Sequence, residues 1–219
     1  IDFPTTVGAY DRACDNCATN YSTDGFVAKI SPTGAGLVFS TLLGGAAAPS
    51  SEGLNGVALD AQGRVAVVGV SNAADFPTTS NAYRRTASGG YDVVAALLSA
   101  DGSQLLYGTY LGGAGNDRAM DMVTDPQGRI YVSGYTDSVN FPTTSGAPQT
   151  ARAGGVDLFL AKIGPNEGLM FSTYLGGTGN ESPVAALAAD GFGRLRLAGA
   201  SASSNFPMTV NAPQPLLAG

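Results

Sequence analysis

Four residues recur along this chain at near-constant spacing, and that recurrence restricts the fold more than any other feature. Phe3-Pro4-Thr5-Thr6 returns as Phe76-Pro77-Thr78-Thr79 and as Phe141-Pro142-Thr143-Thr144, with the variant Phe206-Pro207-Met208-Thr209 near the end. Phe3 to Phe76 is 73 residues; Phe76 to Phe141 and Phe141 to Phe206 are 65 each. One unit, repeated about three times, fills nearly all of the 219 residues. Units of this kind bury their apolar faces against their neighbours, so the copies must stack.

Each period holds four β-type runs. The first follows an Asp, at Asp24, Asp92 and Asp157. The second is Leu37-Val38-Phe39-Ser40-Thr41-Leu42-Leu43-Gly44-Gly45, with copies at 105–113 and 169–177. Its alternation of large apolar residues with Ser or Thr has the two-residue period of a half-buried strand. The third is short, ending at Asp60, Asp125 and Asp190, each of which opens a turn that closes on Gly-Arg. An Asp in that place bonds the backbone two residues on. The fourth runs through Val65, Ile130 and Leu195 to Gly69, Gly134 and Gly199. A glycine recurring inside a strand implies close approach of another backbone or sheet. The strand must then end at the proline of Phe-Pro-Thr-Thr, which cannot donate to a ladder. Phe3, Phe76, Phe141 and Phe206 are expected to plug a gap beside the sheet.

Four consecutive strands with short turns make an antiparallel meander. Meanders set radially around an axis make a β-propeller; sandwich or solenoid packing of the same units is the alternative. The third run, as the shortest, suits the crowded inner position. The sequence predicts an all-β chain forming one segment over 1–219. It divides into a half blade at 24–45, blades at 55–113 and 121–177, and a half blade at 185–201. That is two outer strands, two whole blades and two inner strands, or three blades' worth. Propellers have about four to eight blades, so the open halves are expected to pair with another copy, as a dimeric ring or a filament, or with the rest of a longer chain.

Phe171-Ser172-Thr173-Tyr174-Leu175-Gly176-Gly177, Tyr131-Val132-Ser133-Gly134-Tyr135-Thr136 and Asp157-Leu158-Phe159-Leu160-Ala161-Lys162-Ile163 resemble the bacterial SBBP beta-propeller repeats. The resemblance implies a propeller in a secreted or surface-exposed bacterial protein, and it implies no catalytic residues. Copy one departs from the pattern around Cys14 to Tyr21 and Ala46 to Ser51.

Composition narrows the function classes. Charged residues are 13% of the chain, hydrophobic ones 44%, and the net charge is −6 with only two lysines. No basic stripe for nucleic acid exists, and no apolar run reaches membrane-spanning length. The absence of an initiator Met suggests a processed product or an excerpt. Abundant Ser, Thr, Asn and Gly suggest an extracellular location. Cys14 and Cys17 lack the two further ligands that zinc needs, and a disulfide tying an inserted loop is the favoured reading. Asp60, Asp125 and Asp190 recur once per unit, as scaffold residues do and catalytic ones do not. With no His in the chain, nucleophilic catalysis has no base. Gly115-Asn116-Asp117 and Gly179-Asn180-Glu181, with Glu52 as a displaced third member, offer oxygen ligands to Ca²⁺, but few per loop, and a plain turn is favoured. No other cofactor is implied. Tyr10, Tyr83, Tyr110, Tyr131, Tyr135 and Tyr174 offer sugar-stacking faces or packing. A non-enzymatic scaffold is the first functional expectation, a glycan- or peptide-binding propeller the second, and an enzyme domain completed by groups outside this segment the third.

Overall fold

The computed structural model describes residues 3–14, 22–47, 50–190, 193–209 and 211–214. Among them are twelve strands and no helix. In chain order they are β1 (Gly25–Ile30), β2 (Leu37–Leu43), β3 (Glu52–Leu59), β4 (Val65–Ser71), β5 (Asp92–Leu98), β6 (Leu105–Leu111), β7 (Asp117–Thr124), β8 (Ile130–Thr136), β9 (Asp157–Gly164), β10 (Gly168–Leu175), β11 (Glu181–Ala189) and β12 (Leu195–Ser201). They form four antiparallel sheets: β1-β2, β3-β4-β5-β6, β7-β8-β9-β10 and β11-β12. This is the all-β, partial-propeller architecture, left unclosed.

Both faces of a full sheet are apolar, and each faces a different neighbour. Val65, Val67, Val94 and Ala96 pack with Val27, Phe39 and Leu43 of the first sheet. From the opposite face, Ala66, Val68, Val93 and Ala95 pack with Ala119, Ile130, Val132 and Phe159 of the third sheet. Strands buried on both sides read as continuous apolar runs, as Val65 to Val70 and Val93 to Leu98 do. Consecutive sheets meet chiefly through β3, β7 and β11, which are the inner strands.

One expectation about those strands is overturned. The third run is not the shortest: β3, β7 and β11 have 8, 8 and 9 residues. Each carries a register shift, between Leu54 and Gly56, Ala119 and Asp121, and Glu181 and Ala185. A β-bulge breaks the two-residue period, so the first half of each strand does not look like a strand in sequence. The bulge also accounts for the strand-interior glycines. A Cβ on Gly69 would collide with Gly53 O, and one on Gly134 with Arg118 O. The close approach is therefore by the bulged neighbour in the same sheet.

Gly134→Ala is expected to destabilise the protein by about 1–3 kcal/mol, the usual range for overpacking. Gly53→Ala, where a Cβ meets nothing within 4 Å, should fall within about 0.5 kcal/mol of the parent. Urea denaturation of the two variants checks the contrast.

Candidate functional site

The residues singled out by repetition fall in four places. The first is the turn between the two inner strands. Asp60 Oδ1 accepts from Gln62 N and Arg64 N, both at 2.9 Å, and its Oδ2 accepts from Arg64 Nε at 2.5 Å. Asp125 accepts from Gln127 N at 3.1 Å and Arg129 N at 3.0 Å. Asp190 accepts from Arg194 N at 3.0 Å and Arg194 Nε at 2.6 Å. Arg64 also donates to Gln127 O of the next sheet, at 3.2 Å. The arginine of each Gly-Arg pair is thus a partner of its Asp, a role that the turn argument did not assign.

The second place is the long connection after each fourth run. It is a strap along the free edge of the outer strand. Thr6, Thr79 and Thr144 donate from their backbone N to Ser40 O, Gly108 O and Ser172 O, at 3.0, 3.1 and 3.0 Å. Further on, Asp11 O, Arg84 O and Gln149 O each accept from the same outer strands, at Leu42 N, Tyr110 N and Tyr174 N. Phe76 and Phe141 are buried under the strap, edge-on to Tyr110 and Tyr174, with ring centroids 5.9 Å apart in both. Phe3 lies 4.8 Å from Phe26, and Phe206 lines a groove with Leu175 and Leu197. The hydroxyl of Tyr110 accepts from Phe76 N at 2.7 Å and donates to Ala73 O at 2.7 Å. Tyr174 repeats this with Phe141 N and Ser138 O, both at 2.8 Å. Burial raises the pKa of both phenols above its ordinary value. These two rings are enclosed, and the ring of Tyr131 is covered by Lys162 Nζ, 4.5 Å from its centroid. None of the three presents a free stacking face.

The third place is the Gly-Gly end of each outer strand, where one sheet hands over to the next. Asp117 accepts from Gly113 N at 2.7 Å, from Ser138 Oγ at 2.9 Å and from Thr136 Oγ1. Glu52 occupies the same place in the preceding sheet, taking Gly45 N at 3.2 Å and Ser71 Oγ at 3.1 Å. Glu181 takes Ser201 Oγ at 2.8 Å and Ser203 Oγ at 2.6 Å. These carboxylates, weighed in the sequence as oxygen ligands for Ca²⁺ and favoured there as plain turn residues, accept N–H and O–H groups of the fold. Among the described residues, no cluster of three or more acidic or cysteine side chains is placed to hold a metal ion. The loop after each glycine pair is fastened by a residue that sequence reasoning passed over, the one before each Phe-Pro. Asp75 accepts from Ala46 N at 3.1 Å, Asn140 from Ala114 N at 2.8 Å, and Asn205 from Thr178 N at 2.8 Å. The signal was present, since Asp or Asn precedes all four Phe-Pro pairs.

The fourth place is the open edges. Val57, Met122 and Leu187 occupy one repeat position, on the side that faces the preceding sheet. Met122 is 5% exposed and Leu187 7%, whereas Val57 is 66% exposed. Phe26, Ile30 and Leu59 on the same side are also exposed. At the other end, β12 is exposed or half-buried at every residue, whereas its counterpart β4 is buried throughout. The outer edge of β12 and the inner edge of β1 carry no paired strand among the described residues. The expected disulfide needs Cys17, which lies outside the described residues.

Stacked four-stranded meanders joined at inner strands define a β-propeller module. Residues 106–142 match the SBBP family model, a beta-propeller repeat. The match runs from outer strand β6 across the junction to Phe141-Pro142, so this segment is similar to the SBBP beta-propeller repeat. No curated protein matches the chain.

Tyr174→Phe removes the hydroxyl that joins Phe141 N to Ser138 O, and leaves both groups buried without a partner. A loss of about 1–3 kcal/mol is expected, read as a lower midpoint in thermal unfolding followed by near-ultraviolet circular dichroism.

Proposed function

We propose that this chain is a secreted, non-enzymatic propeller module that acts as a structural scaffold, and that its two open half sheets complete one another between copies. The supporting observation is the exposure pattern. Apolar positions that are buried in the two full sheets are bare at β1, β3 and β12, as the two halves of a separated interface would be. An exposed edge with unpaired backbone groups invites strand addition. Two copies joined reciprocally give six sheets, within the usual range for a closed propeller. The reading of location rests on composition, with few lysines and many Ser, Thr, Asn and Gly.

The full sheets prescribe the register of the joint. Val65 pairs with Leu98 and Ser71 with Asp92; Ile130 pairs with Ile163 and Thr136 with Asp157. By the same rule Leu195 pairs with Ile30, Ala198 with Val27 and Ser201 with Asp24. Such a blade reads β11-β12-β1-β2 and covers Val57 of the copy that contributes β1.

The test is a double-cysteine chain, Val27→Cys with Ala198→Cys, oxidised and mapped by peptide mass spectrometry. An intermolecular 27–198 link is expected, with a dimer or larger species by light scattering. The pair Ala28→Cys with Ala198→Cys, one residue out of register and on the opposite face, should not link. A monomer at all concentrations with no 27–198 link would refute pairing between copies while leaving the propeller class intact.

A further inference from the structure

Each junction between neighbouring sheets brings two acids together, all of them buried except Asp24, which is half-buried. Asp92 opens β5 and Asp117 opens β7 of the next sheet, and both are fully buried. They converge on Gly112: a Cβ there would collide with Asp92 Oδ1 and stand 2.8 Å from Asp117 Oδ2. At the following junction a Cβ on Gly176 would lie 2.5 Å from both Asp157 Cγ and Glu181 Oε2. At the preceding one a Cβ on Gly44 would lie 2.6 Å from Asp24 Cγ, and Asp24 acts electrostatically on Glu52. The first glycine of each Gly-Gly therefore makes room for a carboxylate pair.

The two members of the central pair are not equivalent. Asp117 accepts three hydrogen bonds, from Gly113 N, Ser138 Oγ and Thr136 Oγ1, as an ionised carboxylate does. Asp92 Oδ2 accepts from Ser88 N at 2.7 Å and the Gly89 N–H also stands against this carboxylate, while Oδ1 makes no hydrogen bond of good geometry. A buried oxygen without such a bond beside an anion is unfavourable unless it carries a proton. We propose that Asp92 and Asp117 hold one proton between them above the pH at which free carboxyls ionise, and that Asp24–Glu52 does the same, making these two sheet junctions proton-linked joints; at the third, both oxygens of Asp157 accept N–H groups, from Gln149, Ala153 and Gly154, and no proton is assigned there. In the dominant form of the central pair the proton sits on Asp92 Oδ1. Glu52 Oε2 likewise makes no hydrogen bond of good geometry, with the Ser50 hydroxyl beside the carboxyl group.

The charged and titratable surroundings agree. Arg84, on the strap, favours the charged form of Asp92 but does not outweigh its burial, and the net shift is upward. Burial raises Asp117, and the charge of Asp92 adds to that. Burial pushes Glu52 up to about 7, with Asp24 contributing. Asp157 is raised by burial first and by Glu181 in addition. Tyr110 faces Glu52 and Asp92, and Tyr174 faces Asp117 and Asp157; both phenols are neutral throughout this range. A cation is a poorer occupant than a proton, because the groups turned toward Asp117 are N–H and O–H donors.

The sign follows from linkage. Below about 4.5, the ordinary value for Glu52, folded and unfolded chains are both protonated there and the stabilisation is complete. As pH rises toward about 7, the unfolded chain has released a proton that the folded chain retains, so stability falls. Each retained proton lowers the folding constant by up to about tenfold per pH unit in that window.

The test uses the intact chain at pH 6. Difference infrared spectroscopy should show a protonated carboxyl stretch in the folded protein, diminished in Asp92→Asn. Denaturant titrations from pH 4.5 to 7 should show the fall in stability, shallower in Glu52→Gln. No protonated carboxyl signal in the parent would overturn the proposal, even if a variant failed to fold. So would a pH dependence unchanged in both variants. A melting midpoint raised by millimolar calcium, with that rise abolished by Asp92→Asn, would also overturn it and assign the pair to a cation.

Discussion

A sheet with two apolar faces cannot stand alone in water, and the rest of this structure depends on that constraint. Val65 and Val67 point one way from β4, and Ala66 and Val68 point the other. Each set needs a partner sheet. The hydrophobic gain is roughly proportional to the apolar area covered, and it has no preferred direction. It demands neighbours without choosing their angle.

The edges pose the complementary problem. A four-stranded sheet has two edges with unpaired backbone groups, and proteins commonly cover such edges. Here the outer edge is covered by the strap, through Thr6, Thr79 and Thr144 and again through Asp11, Arg84 and Gln149. The inner edge is covered by the neighbouring sheet: Asn55 Nδ2 donates to Ala119 O at 2.7 Å, and Leu187 N to Asp121 Oδ2 at 2.7 Å. The long period that is surplus to four strands is thus accounted for by the strap. It takes the outer strand out of circulation.

Much of this was legible in the residues. The runs Val65 to Gly69 and Asp92 to Leu98 are recognisable as strands because burial on both faces leaves them without polar interruptions. The turns at Asp60, Asp125 and Asp190 are recognisable because an Asx turn places its acceptor by local rules. What was not legible depends on geometry across the sequence. The first halves of β3, β7 and β11 were hidden by bulges that break the alternation. The hydroxyls of Tyr110 and Tyr174 reach Phe76 and Phe141 from 34 and 33 positions away, and spacing alone does not reveal such a bond. The pairing of Asp92 with Asp117 was hidden for the same reason: each recurs in its own column, and only the fold makes the columns neighbours.

The polar groups are concentrated where the apolar faces leave the geometry undetermined. Along the faces between sheets the contacts are Val, Ala, Leu and Phe, which would tolerate sliding. At one end of each junction stand a glycine pair, a carboxylate pair and the Asp or Asn before Phe-Pro; at the other stand the Asp-Arg turns, with Arg64 reaching Gln127 O. Thr124 Oγ1 donates to Leu59 O at 3.0 Å beside those turns. Hydrogen bonds are directional and weaken steeply off-axis, so two fastened ends hold one angle between sheets. A repeat that keeps its polar residues at the two ends of a junction can add copies at a constant rotation, which is the condition for a chain of sheets to curve toward a ring.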